Sequence, residues 1–512
     1  MVVRKEEMQM ERVALFELGT SNLRLSLYKV KEGEHFIQYK QISERINITE
    51  HIEEDRLIKP SKIKECVAII QMLKRICESE GVSRYIAEAT NSLNIATNYQ
   101  SFVNELGLSI GVDFRVLSAG EEIASVYTAV TNTVDAAKGV IINISSQVTR
   151  IIHYNRRIIL DSATLPYGTS SIGAPKCENH DMKQGCSLFK KVLEDANLAF
   201  LSNLEPETVL VGVGDVFSGY ARMAKRLTSY PLESDHIYVS DKKTFDKVFE
   251  FISTLAPEKK QRLKGISETS VSNVQSGMCI ISAIIEHTKL DNIVVTNAFR
   301  NVGVMFKYTI PYTTERPITD MLGYSLDMIT YHYHLPAKRC EKLYDLALML
   351  FKQFKVLHRL PRNYAKVLRI AAYMSMSGGH SEFHQVLNLP VLGVTHKEIV
   401  LAAFVVSCRR WEDFSLAEWV KYKSILQESD LEAARKLANI LSIAEAMNIR
   451  NQDIIKDINC DILGESVILK LVTETDPKST RVDPNAAQVE IYFAKKCAPE
   501  FNRSFKKSLE IL

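Results

Sequence analysis

Apolar and polar positions follow one another at the start of the chain in a pattern that predicts a β-hairpin. Residues 13–18 form an apolar run that holds one acid, Glu17, and residues 23–28 alternate leucine with more polar residues. The residues between them, 19–22, are Gly-Thr-Ser-Asn, a small polar turn. Alternation of this kind is typical of a half-buried strand, and successive N–H groups in such a turn form a concavity that holds phosphate oxygens. For this stretch alone, an ordinary hairpin with a polar turn is the alternative.

The same pattern returns about a domain's length further along the chain. Residues 139–144 are Gly-Val-Ile-Ile-Asn-Ile, residues 145–148 are Ser-Ser-Gln-Val, and residues 149–154 are Thr-Arg-Ile-Ile-His-Tyr. This repeat predicts two similar α/β lobes, each opening with a hairpin, that face one another across a cleft. The candidate phosphate-binding residues of the two turns are Gly19, Thr20, Ser21, Asn22, Ser145, Ser146 and Thr149.

A strand-to-helix junction between the two hairpins carries a candidate catalytic acid. Residues 118–122 read Ser-Ala-Gly-Glu-Glu, directly after an apolar strand pattern and before a helical one. Glu121, placed at the end of a strand beside a phosphate cleft, is a candidate to orient or deprotonate a water molecule. The alternative is purely structural, because Ser followed three residues later by Glu is also a helix-capping pattern.

The second half of the chain has a different periodicity. From about residue 315 to 450 the apolar positions recur at helical spacing, most clearly in residues 338–354 and 364–376. Near the C-terminus the spacing changes again, and residues 466–473 and 489–493 are predicted as strands. The chain is therefore expected to end in a mostly helical region followed by a small α+β segment.

Composition limits the class of protein. The chain has 512 residues, 46% of them hydrophobic and 24% charged, with a mean hydropathy of −0.06. This describes a multidomain globular protein, and the charged N-terminus without an apolar core predicts a cytoplasmic location and no membrane association. A net charge of +3 is too small to predict a nucleic-acid partner.

The nine cysteines are scattered and form no CxxC pair, which is typical of reduced thiols. Cys177, His180 and Cys186 lie close together in the sequence, but their spacing matches no standard zinc pattern.

Several motifs in order resemble those of the exopolyphosphatase and guanosine pentaphosphate phosphohydrolase (Ppx/GppA) family. That family opens with Asp-Leu-Gly-Ser-Asn-Ser-x-Arg-Leu, and residues 17–25 here are Glu-Leu-Gly-Thr-Ser-Asn-Leu-Arg-Leu. Residues 89–98 resemble its Ala-Thr-Ser-Ala-Leu-Arg-x-Ala-x-Asn segment, and residues 118–123 resemble its Ser-Gly-x-Glu-Glu-Ala segment. Residues 165–168 and 501–511 are similar to its Leu-Pro-x-Gly turn and to its C-terminal tail. The similarity spans nearly the whole chain.

The resemblance implies a fold and a domain order. It implies a two-lobed, actin-like (ribonuclease H-like) α/β phosphatase core, followed by a mostly helical HD-like domain and a small C-terminal α+β segment. The expected boundaries are residues 1–134 for the first lobe, 135–312 for the second lobe, 313–465 for the helical domain and 466–512 for the C-terminal segment.

The resemblance also implies an activity. Glu121 would orient the attacking water, Glu17 would hold Mg²⁺, and Arg24 would support the phosphate turn of the first hairpin. The expected function is an exopolyphosphatase-like phosphohydrolase that releases terminal phosphate from inorganic polyphosphate or guanosine pentaphosphate. A homodimer is expected.

Some positions depart from the family pattern. The second hairpin of the family reads Asp-Ile-Gly-Gly-Gly-Ser-Thr-Glu, whereas Asn143 and Arg150 replace its first and last acids here. Asn94 replaces a phosphate-binding arginine, and Ser375 and Met376 replace the His-Asp pair of the HD-like domain. These changes predict that the magnesium site is eroded, so that Mg²⁺ is bound weakly or is absent. They also predict that Arg150 neutralises phosphate directly. The alternative function is a weak or inactive regulatory protein that binds polyphosphate or guanosine tetraphosphate.

Overall fold

The computed structural model describes residues 10–52, 54–172, 182–255, 268–377, 382–408, 411–473 and 486–512. The chain forms two compact units. The first unit consists of Met1–Ser229 with Glu233–Thr319, and the second consists of Tyr230–Leu232 with Asp320–Leu512.

The first sheet of unit 1 is built around the predicted N-terminal hairpin. Its strands are β1 Glu11–Leu18, β2 Asn22–Lys31, β3 His35–Arg45, β4 Arg84–Ala89 and β5 Arg115–Val116, in the order β3-β2-β1-β4-β5. Strand β1 pairs antiparallel with β2 and parallel with β4. The parallel register places Glu17 next to Glu88, so two acids lie side by side at the carboxyl ends of these strands.

The second sheet repeats this arrangement with the second predicted hairpin. Its strands are β6 Lys138–Ile144, β7 Thr149–Asn155, β8 Ile158–Leu165, β9 Val209–Val213, β10 Tyr238–Asp241 and β11 Asn292–Thr296, in the order β10-β11-β9-β6-β7-β8. Strand β6 pairs antiparallel with β7, where Asn143 lies opposite Arg150, and parallel with β9. Both hairpins predicted from the sequence are confirmed.

Unit 1 also contains α-helices, some of which pack on the sheets and some on one another. In chain order they are α1 Pro60–Ser79, α2 Tyr99–Ile110, α3 Ala119–Thr131, α4 Thr169–Ile172, α5 Met182–Ala196, α6 Asp215–Leu227, α7 Lys242–Thr254, α8 Glu268–Thr288 and α9 Arg300–Thr309. Short 3₁₀ turns occur at Ile48–His51, Asn91–Ile95, Ala199–Leu201 and Pro311–Thr314.

Helices α3 and α9 each pack on the sheet of the opposite lobe. Val126 and Val130 of α3 join the buried cluster of the second sheet, whereas Val304 of α9 joins a cluster with the first sheet. The two helices pass so close that a Cβ on Gly303 would lie 1.8 Å from the carbonyl oxygen of Ser125. Glycine at position 303 therefore permits the crossing that links the two lobes.

Unit 2 is mostly helical. Its helices are α10 Met321–His332, α11 Ala337–Gln353, α12 Lys355–His358, α13 Tyr364–Met374, α14 Glu382–Leu387, α15 His396–Ser407, α16 Leu416–Lys421, α17 Glu428–Met447, α18 Gln488–Lys495 and α19 Ala498–Phe505, with a 3₁₀ turn at Trp411–Asp413. A sheet of β12 Ile455–Leu463, β13 Ser466–Thr473 and β14 Ser508–Ile511, in the order β12-β13-β14, belongs to the same unit. The HD-like assignment and the four predicted domain ranges stay predictions.

One strand prediction in this unit is wrong. Residues 489–493, predicted as a strand from alternating apolar positions, lie in α18. The buried residues of that helix are Glu490 and Ala494, which are four apart and so share one helix face. Arg450 donates a 2.8 Å hydrogen bond to Glu490, so the buried face is fixed by an ion pair rather than by the apolar alternation.

Among the described residues, none of the helices combines the length and the apolar character that crossing a bilayer requires.

Candidate phosphate site

The two predicted phosphate turns lie against each other. In the first turn the N–H of Gly19 donates to the carbonyl of Asn22, and in the second the N–H of Ser145 donates to the carbonyl of Val148, both at 2.9 Å. The next residue of each turn also matches, because the hydroxyls of Thr20 and Ser146 are 2.9 Å apart and hydrogen-bonded. The repeat read from the sequence therefore places equivalent residues face to face in the lining of one cleft.

The cleft between the lobes is small, and charged residues line it. It has a volume of about 250 Å³, which is below the range typical of sites for drug-sized ligands. Three arginines and three carboxylates are among its lining residues: Arg24, Arg150, Arg300, Glu17, Glu122 and Asp215. Their formal charges cancel, and each acid lies beside one of the arginines.

The best buried of these pairs joins Arg150 to Glu122. The Arg150 guanidinium donates to Glu122 Oε2, and both side chains are almost fully buried, with 6% and 3% of their side-chain surface exposed. Glu122 Oε1 accepts two further hydrogen bonds of 2.8 Å, from the hydroxyl of Thr90 and from the N–H of Asn91. Burial lowers the pKa of Arg150, and the nearby charge of Arg300 adds to this effect, whereas Glu122 opposes it.

The second pair, Arg300 with Glu17, is part of a series of linked ion pairs that begins in the cleft. Arg300 donates to Glu17 at 2.9 Å and to Glu88 at 3.0 Å. It thus separates the two acids that the strand register brings together, which would otherwise repel each other. Arg115 then donates to Glu88 at 2.9 Å and also to Glu121.

The third pair is looser and lies at the rim. Arg24 Nη2 is 3.9 Å from Asp215 Oδ2, and the Asp215 side chain is 72% exposed. The guanidinium of Arg24 also lies over the ring of Phe299, 5.7 Å from its centroid. Because Asp215 is solvated and the contact is long, this pair holds Arg24 weakly.

Glu121, the predicted catalytic acid, has a structural role. Its carboxylate accepts hydrogen bonds from the N–H and the hydroxyl of Ser118, at 2.8 and 2.9 Å, and the Glu121 N–H donates back to the Ser118 hydroxyl. This is a complete capping box at the start of α3. The hydrogen bonds from Ser118, together with Arg115, hold the pKa of Glu121 below its usual range. The capping interpretation is confirmed, and the catalytic role stays a prediction.

Most of the other predicted site residues do line the cleft. They are Glu17, Gly19, Thr20, Ser21, Asn22, Arg24, Ser145, Ser146 and Arg150. Two are placed elsewhere: Glu121 is not among the lining residues, and Thr149 is fully buried with its hydroxyl donating to the carbonyl of Tyr167 at 2.8 Å. Cys177 and His180, considered above for zinc, lie outside the described residues.

The residues of the cleft do not fit a magnesium ion. Mg²⁺ requires near-octahedral oxygen ligands at about 2.0–2.1 Å, yet Glu17 and Glu122 already accept hydrogen bonds from arginines. At position 143 the side chain is an amide, whose Nδ2 donates to the carbonyl of Val213 at 3.3 Å. Within the described part of the chain, His, Cys, Asp and Glu side chains form no group of three or more that suits a metal.

Sequence reasoning missed two main residues of this site. The sequence pattern favours Glu121 as the acid of the cleft, whereas its neighbour Glu122 lines the cleft in the structure. Adjacent residues of a helix face different directions, so a single position decides between them. Arg300 is 283 residues away from Glu17 in the sequence. The available signal was its position just after β11, because the carboxyl ends of parallel strands are where α/β proteins place their ligand sites.

Two α/β lobes joined by crossing helices, with paired turns across a cleft, define the actin-like class of phosphate-binding folds. The family model described as the Ppx/GppA phosphatase family matches residues 27–308, and the chain therefore belongs to the Ppx/GppA family.

Solved structures show the same fold. A crystal structure of the Aquifex aeolicus Ppx/GppA family member is 17% identical, covers 59% of this chain and 98% of its own, and has a TM-score of 0.51. An exopolyphosphatase from Cytophaga hutchinsonii is 15% identical, covers 58% of this chain and 98% of its own, and has a TM-score of 0.53. No curated protein matches this sequence.

Proposed function

We propose that this chain binds the terminal phosphates of inorganic polyphosphate, or of guanosine penta- or tetraphosphate, in the cleft between its two lobes, and that it hydrolyses them weakly or not at all. The ligand class is taken from the family and from the exopolyphosphatase of similar fold. The two facing turns and the arginines of the cleft supply the donors that phosphate oxygens need.

One observation carries the proposal: an arginine accompanies each of the three carboxylates that line the cleft. A metal-dependent phosphohydrolase needs carboxylates that are available to the ion. Here the same carboxylates neutralise guanidinium groups, which recognise phosphate by themselves. The site therefore favours binding over metal-assisted hydrolysis.

Binding can also use groups that lack a partner. The Nε atoms of Arg24 and Arg150 are buried, and neither has a hydrogen-bond partner among the described residues. Buried donors without partners are costly, and a phosphate oxygen in the cleft would satisfy them. The small volume of the cleft suits one or a few phosphate groups rather than a whole nucleotide.

A second candidate function is hydrolysis of the same ligands, and one observation favours it. Glu17 Oε2 is buried, and it too lacks a hydrogen-bond partner within the described residues. This oxygen is available to a water molecule in the cleft. In that case Glu17 would hold a water molecule beside the phosphate, and Glu121 would have the water-orienting role that the sequence predicts for it.

The test measures binding and turnover separately. Titration calorimetry with long-chain polyphosphate and with both guanosine phosphates should show binding, and Arg24→Gln should weaken it by about tenfold or more, since one ion pair to phosphate is lost. The control is Arg75→Gln, an exposed arginine of α1 outside the cleft lining, which should leave binding unchanged.

Turnover is followed as phosphate release from the same ligands with Mg²⁺ or Mn²⁺. Binding with no release supports the binding function, whereas release that Glu121→Gln abolishes supports the second candidate. If no ligand binds under any condition, both candidate functions are refuted.

A further inference from the structure

Arg150 is a residue of the cleft whose hydrogen-bond donors are only partly satisfied. Only 5% of its surface is exposed, and its single strong contact is the ion pair with Glu122. Its Nη1 lies 3.5 Å from Asn143 Oδ1, which is a long contact, and its Nε has no partner among the described residues. A guanidinium has five N–H donors in a fixed fork, and most of this fork is left for a ligand.

We infer that Arg150 binds the phosphate chain in the position where a metal-dependent phosphohydrolase uses a divalent cation, and that Glu122 holds this arginine until the ligand arrives. The inference rests on the proposed function and specifies the form of its ligand, which is a phosphate chain without bound magnesium. Binding is then an exchange in which the guanidinium of Arg150 leaves a carboxylate for a phosphate oxygen.

The surroundings of Glu122 allow such an exchange. When Arg150 leaves, Glu122 keeps its two 2.8 Å hydrogen bonds from Thr90 and Asn91, so the carboxylate is not left without donors. Arg300 lines the same cleft, and its charge, after burial, helps to lower the pKa of Arg150. Two guanidinium groups that repel each other are both stabilised by an anion placed between them.

The exchange also predicts how magnesium acts. A divalent ion beside Arg150 and Arg300 is repelled by both, and magnesium bound to the phosphate chain removes the negative charge that the arginines recognise. Binding should therefore be as tight in EDTA as in magnesium, or tighter. Because Glu122 competes with the ligand for Arg150, removal of the Glu122 charge should tighten binding.

The experiment is titration calorimetry with tripolyphosphate, in EDTA and in magnesium, on the full-length chain. Glu122→Gln should bind about tenfold or more tightly than the wild type. The double variant Glu122→Gln/Arg150→Gln should bind about tenfold or more weakly than the wild type; because it replaces the ion pair by two amides, no charge is left buried. Thermal melting checks that each variant is folded.

The control is Glu205→Gln, which removes an acid of the second lobe, outside the cleft lining, that pairs with Lys138 at 2.6 Å, and it should bind as the wild type does. Binding that requires magnesium overturns this inference and leaves the proposed function standing. Wild-type affinity in the double variant, or no tightening in Glu122→Gln, overturns it as well. Absence of binding in every variant and in both buffers refutes the proposed function itself.

Discussion

The crossing of α3 and α9 is the point at which a single methyl group should have the largest effect on unit 1. A Cβ on Gly303 would lie 1.8 Å from the carbonyl oxygen of Ser125, 2.7 Å from its carbonyl carbon and 3.1 Å from the N of Ala129. All three are backbone atoms, so no side-chain rotation relieves the overlap. To reach the ordinary contact distance of 3.4 Å, the two helices must separate by about 1.6 Å.

We expect Gly303→Ala to lower the free energy of unfolding by about 2 kcal/mol or more. Overpacking that shifts the backbone costs about 3 kcal/mol at the upper end of its usual range and occasionally more, while the better helix propensity of alanine returns about 1 kcal/mol. The corresponding fall in the thermal midpoint is roughly 3 °C or more. Arg300 begins α9 and Glu122 lies in the first turns of α3, so separation of the helices should weaken tripolyphosphate binding too.

The assay is urea denaturation of the full-length chain together with calorimetric titration of tripolyphosphate. The control is Gly120→Ala in the same helix pair, where nothing lies within 4 Å of the added Cβ. This change should be neutral or stabilising by up to about 1 kcal/mol. If Gly303→Ala is as stable as Gly120→Ala, the reasoning about the helix crossing is refuted.

Two further predictions concern a capping acid beside the cleft and the two acids of the family pattern that this chain lacks. Glu121→Gln should lower the thermal midpoint near neutral pH. Ser118 and Arg115 hold the pKa of Glu121 below its usual value of 4.5. The stabilisation that the Glu121 carboxylate gives to the fold is therefore present above pH 4.5 and is lost as the pH falls through the lowered pKa. Melting curves between about pH 3 and pH 7 check this, and a difference from the wild type that persists at the acid end contradicts it. Asn143→Asp/Arg150→Glu restores the two acids of the family's second hairpin and should make the thermal midpoint rise with magnesium, because the ion relieves repulsion among buried carboxylates. An equal rise in the wild type would show that the native site already binds the ion.

Much of the fold could be predicted because its elements are set by local patterns. The hairpins at residues 11–31 and 138–155, the helix Ala337–Gln353 and the strand Ser466–Thr473 all follow from apolar spacing. The failure at residues 489–493 has a local cause as well. There the buried face is set by the ion pair between Glu490 and Arg450, which no apolar pattern records.

Only part of the candidate site could be predicted from such local patterns. The turn at residues 19–22 and the turn at residues 145–148 are continuous segments, and their repeat was enough to predict that they would face each other. The sequence did not show which of Glu121 and Glu122 faces the cleft. The two acids are neighbours at the start of one helix, where Glu121 caps the helix and Glu122 lines the cleft. Sequence similarity showed which residues depart from the family pattern. It did not show which side chains these residues contact in the structure.

The sequence by itself determined the two lobes and their polar turns, since strand alternation and turn composition act over a few neighbouring residues, and the order of its motifs showed the resemblance to the family. Only the tertiary structure decided that Arg150 meets Glu122 and that Arg300 separates Glu17 from Glu88. These contacts join strands and helices that lie far apart in the chain, and charge pairing across a cleft depends on distance in space. The same acids would hold magnesium in one arrangement, whereas here they hold arginines.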